Sequence, residues 1–343
     1  MKLFPIKLAT ATVTAATLLG STLLVAGAAQ AADQAAPEKN VHEKIVDVMH
    51  KLVKGPYAGY RSNHAKGIVV TGSFTPSADA PSLSKAPHFL KTVPVTVRFS
   101  NPTALPTIPD ADPNASPHGI AIRFQLPDGG VTDIVSISYN GFPVATPEDF
   151  LALLTAISVT TPESPKPNPV EQFLATHPAA KTFVTTPKPP PVSYGTLAYF
   201  GVNAFQFTNA KGETQYGRYR IEPVAGVQSL SAEQVAKAAP NYLIDELPAR
   251  IAKAPVKFKI SAQIANKGDA LLDATQVWPD DRKVVELGIM SLDAVSPDSA
   301  TAEKKLAYNP LLLVDGISAT ADPILQSRPI AYSVSVGRRL TGK

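Results

Sequence analysis

Near the C-terminal end, in "SRPIAYSVSVGRRL", Arg328, Tyr332 and Arg339 stand 0, 4 and 11 residues along the chain. On a helix, at about 100° per residue, that spacing gathers all three within roughly 40° of one face. Two guanidiniums would then flank a phenol. A nearby positive charge favours the phenolate, and a phenolate is a ligand that ferric haem iron accepts. Two plainer readings stay open here: a core tyrosine beside solvated arginines, or a strand, since "YSVSV" alternates. Pro329 argues for the helix, because proline is tolerated in a first turn.

A second group lies far upstream. Arg61 and His64 stand three apart in "RSNHAKG", and "VRFS" puts Arg98 and Ser100 on one face of a strand by its period of two. A histidine held by a serine hydroxyl, with a carboxamide opposite, is a proton-transfer site suited to peroxide. Arginines suit carboxylates, haem propionates among them. Taken singly, His64 reads as a structural polar residue, Ser100 as a strand end, and Asn140 in "SYNGFPV" as a turn residue before glycine.

Composition removes several other chemistries. The 343 residues contain no cysteine, which excludes disulfides, iron–sulfur clusters, covalent c-type haem attachment and a thiol nucleophile. No G-x-S-x-G, H-E-x-x-H or Walker A pattern occurs. His42, His50, His88, His118 and His177 lack ligand spacing, and Asp110, Asp112 and Asn114 begin like a calcium loop but lack its later glycine and glutamate. Residues 1–31 read as a cleavable secretory signal, with Lys2 and Lys7 before an apolar stretch and Ala29-Gln30-Ala31 as the cleavage site. The expected mature chain, residues 32–343, is one exported domain, periplasmic or secreted. Removing Lys2 and Lys7 from 32 basic residues leaves 30 against 28 acidic ones, too balanced for nucleic acid. No later stretch suits a membrane span.

The elements that must position these side chains follow from periodicity. "VHEKIVDVMHKLV" is an expected helix with Val41, Ile45, Val48, Met49 and Leu52 on one face. "KGIVVTGSF", "PVTVRFS", "GIAIRFQL", "VTDIVSIS", "VNAFQFTN", "YGRYRIEPV" and "VKFKISAQI" read as strands of an antiparallel sheet or barrel. Helical patterns cover "PEDFLALLTAIS" and "VEQFLATH", the latter bracketed by proline-rich segments that read as an irregular wrapping loop. Ser231 and Gln234 form a capping box before a helical pattern running to Ala254. The fold class expected is α+β.

In order along the chain, "RSNHAKGIVVTGSF", "LSKAPHF", "VPVTVRFSNP", "PHGIAIRFQLPDG", "DIVSISYNGFPV", "DATQVWPDDRKVVELG", "NPLLLVDGISATADPILQSRPIAY" and "SVGRR" resemble the haem catalases, most closely the short bacterial catalase-related peroxidases. The resemblance spans roughly residues 57 to 339. It implies an antiparallel β-barrel core with surrounding helices and a long proline-rich wrapping loop. It implies haem b, with Tyr332 as axial ligand to the iron and Arg328 keeping the phenol ionised. His64 matches the proton-transferring distal histidine, Ser100 the hydroxyl that orients it, and Asn140 the asparagine that bonds peroxide. Arg61, Arg98 and Arg339 match the arginines around the haem propionates. The implied activity is that of an oxidoreductase cleaving hydrogen or organic peroxide and oxidising small organic donors. True catalase activity and a haem-carrying barrel without turnover stay as alternatives, as does a haem-free structural barrel.

Several positions depart from the family pattern: Asn63 for the usual valine, His118 for arginine, Gly141 for a second asparagine, Ala145 and Thr146 for phenylalanines, and Val336 for histidine. These changes imply a roomier, more polar pocket suited to organic donors. Neither the long N-terminal arm nor the C-terminal flavodoxin-like domain of larger catalases is expected, nor with them the usual tetramer; a monomer or homodimer is expected instead.

Overall fold

The structure, a computed structural model, describes residues 38–342, so the expected signal at 1–31 lies outside the described residues. Strands β1 (Gly67–Pro76), β2 (Val93–Ser100), β3 (Gly119–Gln125) and β4 (Val131–Ile137) follow helix α1 (Val41–Leu52), with the single turn α2 (Ala80–Leu83) between β1 and β2. Helices α3 (Pro147–Val159), α4 (Pro169–Thr176) and α5 (Pro178–Thr185) come next, then β5 (Tyr199–Phe200), β6 (Phe205–Thr208) and β7 (Thr214–Pro223). The chain ends through α6 (Ala232–Lys237), α7 (Tyr242–Ile251), β8 (Val256–Ile264), β9 (Val284–Val295), α8 (Ser299–Lys305), β10 (Ile317–Ala319) and α9 (Pro323–Thr341).

Alternation in the strands closes the sheet. In β2, Val93, Val95, Val97 and Phe99 point into one core with Ile68, Val70 and Phe74 of β1 and Ile120, Ile122 and Phe124 of β3. The antiparallel order β1-β2-β3-β4-β5-β7-β8-β9 returns to β1 through the β9–β1 pairing, making an eight-stranded barrel. Pairing along a closed ring leaves none of these eight strands as an edge. Strand β6 adds to β7, and β10 to β6, outside the ring.

Departures from expectation have local causes. In β9, inward positions run Val285, Leu287 and then Met290, Leu292, because the register shifts where Gly288 meets Ile260. That bulge breaks the alternation by which a strand is read. Pro240 divides the helical pattern after Ser231 into α6 and α7, since proline cannot continue the hydrogen-bond ladder. The capping box at Ser231 and Gln234 is formed as expected. Residues 169–185 make two helices, α4 and α5, between proline-rich loops; α4 buries no residue. Helix α1 buries Ile45, Val46 and His50 while Leu52 is exposed, because α1 packs against both α3 and α9 and its buried stripe is turned accordingly.

One buried ion pair secures the entry to β1. Lys66 Nζ lies 2.6 Å from Asp110 Oδ1 and donates to the carbonyls of Ile108 and Pro240 at 2.8 Å each. Asp110 also accepts from Asn101 Nδ2 and from the backbone N–H of Leu243. Removing one partner of a buried pair leaves an uncompensated charge, at a cost of about 3–5 kcal/mol. Asp110→Ala should therefore lower unfolding free energy by about that amount in denaturant titration. A loss below about 1 kcal/mol would show that the two carbonyls alone satisfy Lys66.

Candidate active site

Arg98 and Ser100 occupy the β2 positions that alternate with the core residues, so they lie on the outer wall of the barrel, where both are buried beneath other chain. Register pairs Ser100 with Gly67 of β1 and with Gly119 of β3. Directly paired residues share a face of the sheet, so both neighbours of Ser100 on that wall lack side chains. A Cβ at Gly119 would stand 2.9 Å from His64 Nδ1 and from Ser100 Oγ, and one at Gly67 would stand 2.5 Å from Arg98 Nη2. An imidazole and a guanidinium fill those spaces. Next to Arg98 the wall continues through Ala121 and Val135, which is small and apolar.

His64 sits in the turn before β1 with φ of +55°, a left-handed conformation uncommon outside glycine. Asn63 holds that turn: its Oδ1 accepts from His64 N at 3.0 Å and from Thr103 N at 2.7 Å. The Asn63 side-chain oxygen is thus engaged by the backbone. Arg98 Nη2 donates to the His64 carbonyl at 2.9 Å, and Ser100 Oγ lies 3.1 Å from His64 Nδ1. With Nδ1–H donating to the serine, Nε2 is the basic nitrogen. The imidazole keeps part of its surface open to the site, yet desolvation pushes it down to about 3, and the charges of Arg98, Arg61 and Arg328 and the neighbouring His118 act in the same direction. It is a neutral base at ordinary pH.

His118 is bonded into the barrel. Its Nδ1 lies 2.9 Å from Asn101 Oδ1, which also accepts the Tyr194 hydroxyl at 2.6 Å. Backbone and side chain of Ser138 exchange two hydrogen bonds with the His118 backbone, fixing the turn that carries Asn140. Asn140 is half-buried, three residues past β4; among the described residues no hydrogen bond joins its carboxamide to His64 or Ser100. Thr146 is the N-cap of α3, accepting from Asp149 N. Three of the departures from the family pattern thus serve backbone structure.

Arg328 and Tyr332 meet as their helical spacing requires. Arg328 Nε donates to Tyr332 Oη at 3.1 Å, Nη1 to Asn203 Oδ1 at 2.8 Å and Nη2 to the Val135 carbonyl at 3.2 Å. Asn203 Nδ2 donates in turn to Asp322 Oδ2, and Asp322 caps α9 by accepting from Ile324 N and Leu325 N. The first-turn proline is Pro323, whereas Pro329 lies inside the helix. Neither Asn203 nor Asp322 is among the residues that sequence reasoning singles out; Asp322 directly before a proline is the cap signal that could have found it.

Arg339 does not flank the phenol, being about 10 Å further along the axis. Its Nε and Nη2 donate to the carbonyls of Lys304 and Leu306, each at 3.0 Å. There it joins Arg61, whose Nη2 donates to the same Leu306 carbonyl at 2.8 Å, and Arg98, whose Nη2 is 2.9 Å from Glu303 Oε2. Arg61 Nη1 lies 3.8 Å from that carboxylate. Burial pushes the Arg61 guanidinium well below its ordinary value, and the charges of Arg98 and Arg339 add to this. Among the described residues, Arg98 Nε is buried with no hydrogen-bond partner. Three guanidiniums, one carboxylate and an orphaned buried donor fit the acid groups of a haem, as the Arg328–Tyr332 pair fits its axial ligand. Ser62 N, two residues before His64, donates to Ser335 Oγ of α9 at 3.0 Å, tying the two groups together. A surface cavity of about 600 Å³ beside α1, lined by Lys39, Asp47, His50 and Arg338 among others, is separate from these residues.

Gly119→Ala should leave the barrel folded while displacing the imidazole, lowering peroxide reactivity by about 10²-fold or more, the scale of lost proton transfer. Unchanged reactivity with a normal circular dichroism spectrum would show that His64 needs no such space. A second expectation concerns acid stability. His88 and His118 are each 1% exposed, and burial holds both at about 3. Unfolded histidine titrates near 6.5, so between about 6.5 and 3 the unfolded chain binds protons that the folded one does not. Stability from each is complete above the upper limit and falls with pH by about 1.4 kcal/mol per unit within the window. His88→Phe should remove one of these two contributions from the measured pH dependence; an unaltered slope would place His88 outside the linkage.

The catalase family model matches residues 15–343. A catalase-related peroxidase of Synechococcus elongatus is 34% identical over 292 residues, covering 84% of this chain and 86% of that protein. One from Mycolicibacterium paratuberculosis is 34% identical over 291 residues, covering 83% and 90%. A fungal catalase crystal structure superposes with a TM-score of 0.72 at 23% identity, covering 82% of this chain and 59% of that longer one, and so shares the fold. With the model match and both relatives spanning most of its length, the chain belongs to the catalase family.

Proposed function

We propose that the protein is a haem-dependent peroxidase, cleaving hydrogen or organic peroxide and oxidising small organic donors. The observation that carries the reading is the neutral His64 imidazole, its Nδ1 on Ser100 Oγ and its Nε2 bonded to none of the described residues and so available to move a proton. The 34% identity to two catalase-related peroxidases favours donor oxidation over dismutation. Haem b, a monomeric or homodimeric state and export, to the periplasm or as a secreted protein, complete the proposal.

A bound haem supplies an iron that takes up peroxide and provides electrons for breaking its O–O bond. Tyr332 Oη, receiving the Arg328 Nε hydrogen bond, is the side-chain oxygen to hold that iron. Arg61, Arg98 and Arg339 would hold the haem carboxylates. His64 Nε2 accepts the proton of the bound peroxide and returns it to the leaving oxygen, so that water or alcohol departs without a free hydroxide. Ser100 keeps the ring oriented through both transfers. Asn140, in its half-buried turn, would serve as the donor to the peroxide or the leaving group.

Protein carrying haem should oxidise a phenolic donor with hydrogen peroxide faster than it evolves oxygen; the reverse order would make it a true catalase. His64→Ala should lower donor oxidation by about 10²–10⁴-fold, and no loss would leave a haem-carrying barrel. Tyr332→Phe should change the ferric absorption spectrum, an unchanged spectrum removing Tyr332 as the ligand.

A further inference from the structure

The three arginines are tied to one short segment, which carries an acid of its own. Helix α8 is fixed at both ends: Val69 N of β1 donates to Ser299 Oγ at 2.9 Å, and the carbonyls of Lys304 and Leu306 receive Arg339 and Arg61. Within it, Glu303 turns inward, its side chain 14% exposed, onto Arg98 at 2.9 Å and toward Arg61 at 3.8 Å. Arg98 uses only Nη2 for Glu303 and for the carbonyls of His64 and Ala65. Among the described residues its Nε remains buried without a hydrogen-bond partner, so pairing with Glu303 does not exhaust its donors. Three guanidiniums and one carboxylate leave a formal charge of two, equal and opposite to the two carboxylates of a haem.

We propose that Glu303 is a positioning residue of the haem-carboxylate site: it stays paired with Arg98 and Arg61 after haem binds, and sets the cluster's charge to match a dianionic ligand. The proposal rests on the haem reading above. A tethered helix keeps the carboxylate in place, and the remaining donors meet the haem acids. Glu303 then contributes a fixed negative charge close to the haem edge, which disfavours added electron density on the iron. Reduction potential therefore reports on Glu303 directly, whereas a merely structural contact would leave it unmoved.

The test uses the full-length protein loaded with haem, as parent, Glu303→Gln and Glu303→Asp, with midpoint potential and rate of haem transfer to an acceptor protein as readouts. Glutamine keeps an acceptor for Arg98 but removes the charge. Glu303→Gln should shift the midpoint potential to more positive values and slow haem release, the cluster then carrying three charges against two; Glu303→Asp should stay with the parent in both. Slower release at an unchanged potential would mean that haem displaces Glu303, and overturns the proposal. Faster release at an unchanged potential would reduce Glu303 to packing of α8, and overturns it as well. Parent and Glu303→Gln proteins that load alike and agree in both readouts overturn the role of Glu303 alone, whereas a parent that takes up no haem overturns the haem reading beneath it.

Discussion

Ser100 Oγ can hold His64 Nδ1 because the residues paired with Ser100 on β1 and β3 are Gly67 and Gly119. That coincidence depends on register, and register is set on the opposite face of the same strands. Phe99 of β2 packs inward between its partners Ile68 and Ile120. A slip of one residue would turn the core set outward and bring a branched side chain beside Ser100. The packing that closes the barrel and the space that admits the imidazole are therefore one constraint, expressed on two sides of three strands.

Electrostatics extends this constraint beyond contact distance. Desolvating a guanidinium costs several kcal/mol unless its donors are met, and here they are met largely by carbonyls of Leu306, Lys304, His64 and Val135. Carbonyl dipoles satisfy hydrogen bonds without cancelling charge, so the positive excess persists. It acts in two directions at once, attracting acid groups of a ligand and keeping His64 unprotonated. Desolvation and neighbouring cations together hold the imidazole in the unprotonated form, the one able to accept a proton, while lowering its basicity. Ser100, being neutral, orients the ring without reversing that effect.

The legible parts of the chain are those whose signal is local. The core residues of strands β2, β3 and β8 alternate without interruption, and Arg328 and Tyr332 stand one helical turn apart. Strand β9 is not legible because Gly288 shifts its phase, and the division between α6 and α7 escapes a reading by periodicity although Pro240 marks it. In the site, spacing alone leaves His64 undecided; resemblance to the catalases supplies its partnership with Ser100, 36 residues away. Nothing local points to Asn203, 125 residues from Arg328, or to Glu303, 205 residues from Arg98. Asn63 reads as pocket polarity because its sequence neighbour is His64, whereas the deciding partner, Thr103 N, lies 40 residues on.

Those distant contacts have a common geometric result. Helix α9, 19 residues long and so about 28 Å, is held near its start by Asp322 on Asn203 and by Arg328 on the Val135 carbonyl. Near its end it is held by Arg339 on the Leu306 carbonyl and by Arg338, 2.7 Å from Asp47 of α1. Between these anchors, Ser335 receives the N–H of Ser62, two residues before His64. A helix pinned at both ends and in the middle cannot slide along the barrel, so Tyr332 stays in register with β4 and with the His64 turn. Catalytic constellations tolerate errors of about 0.5 Å. Here one helix is anchored to the strand wall that also carries Ser100, and to the Leu306 carbonyl that also receives Arg61.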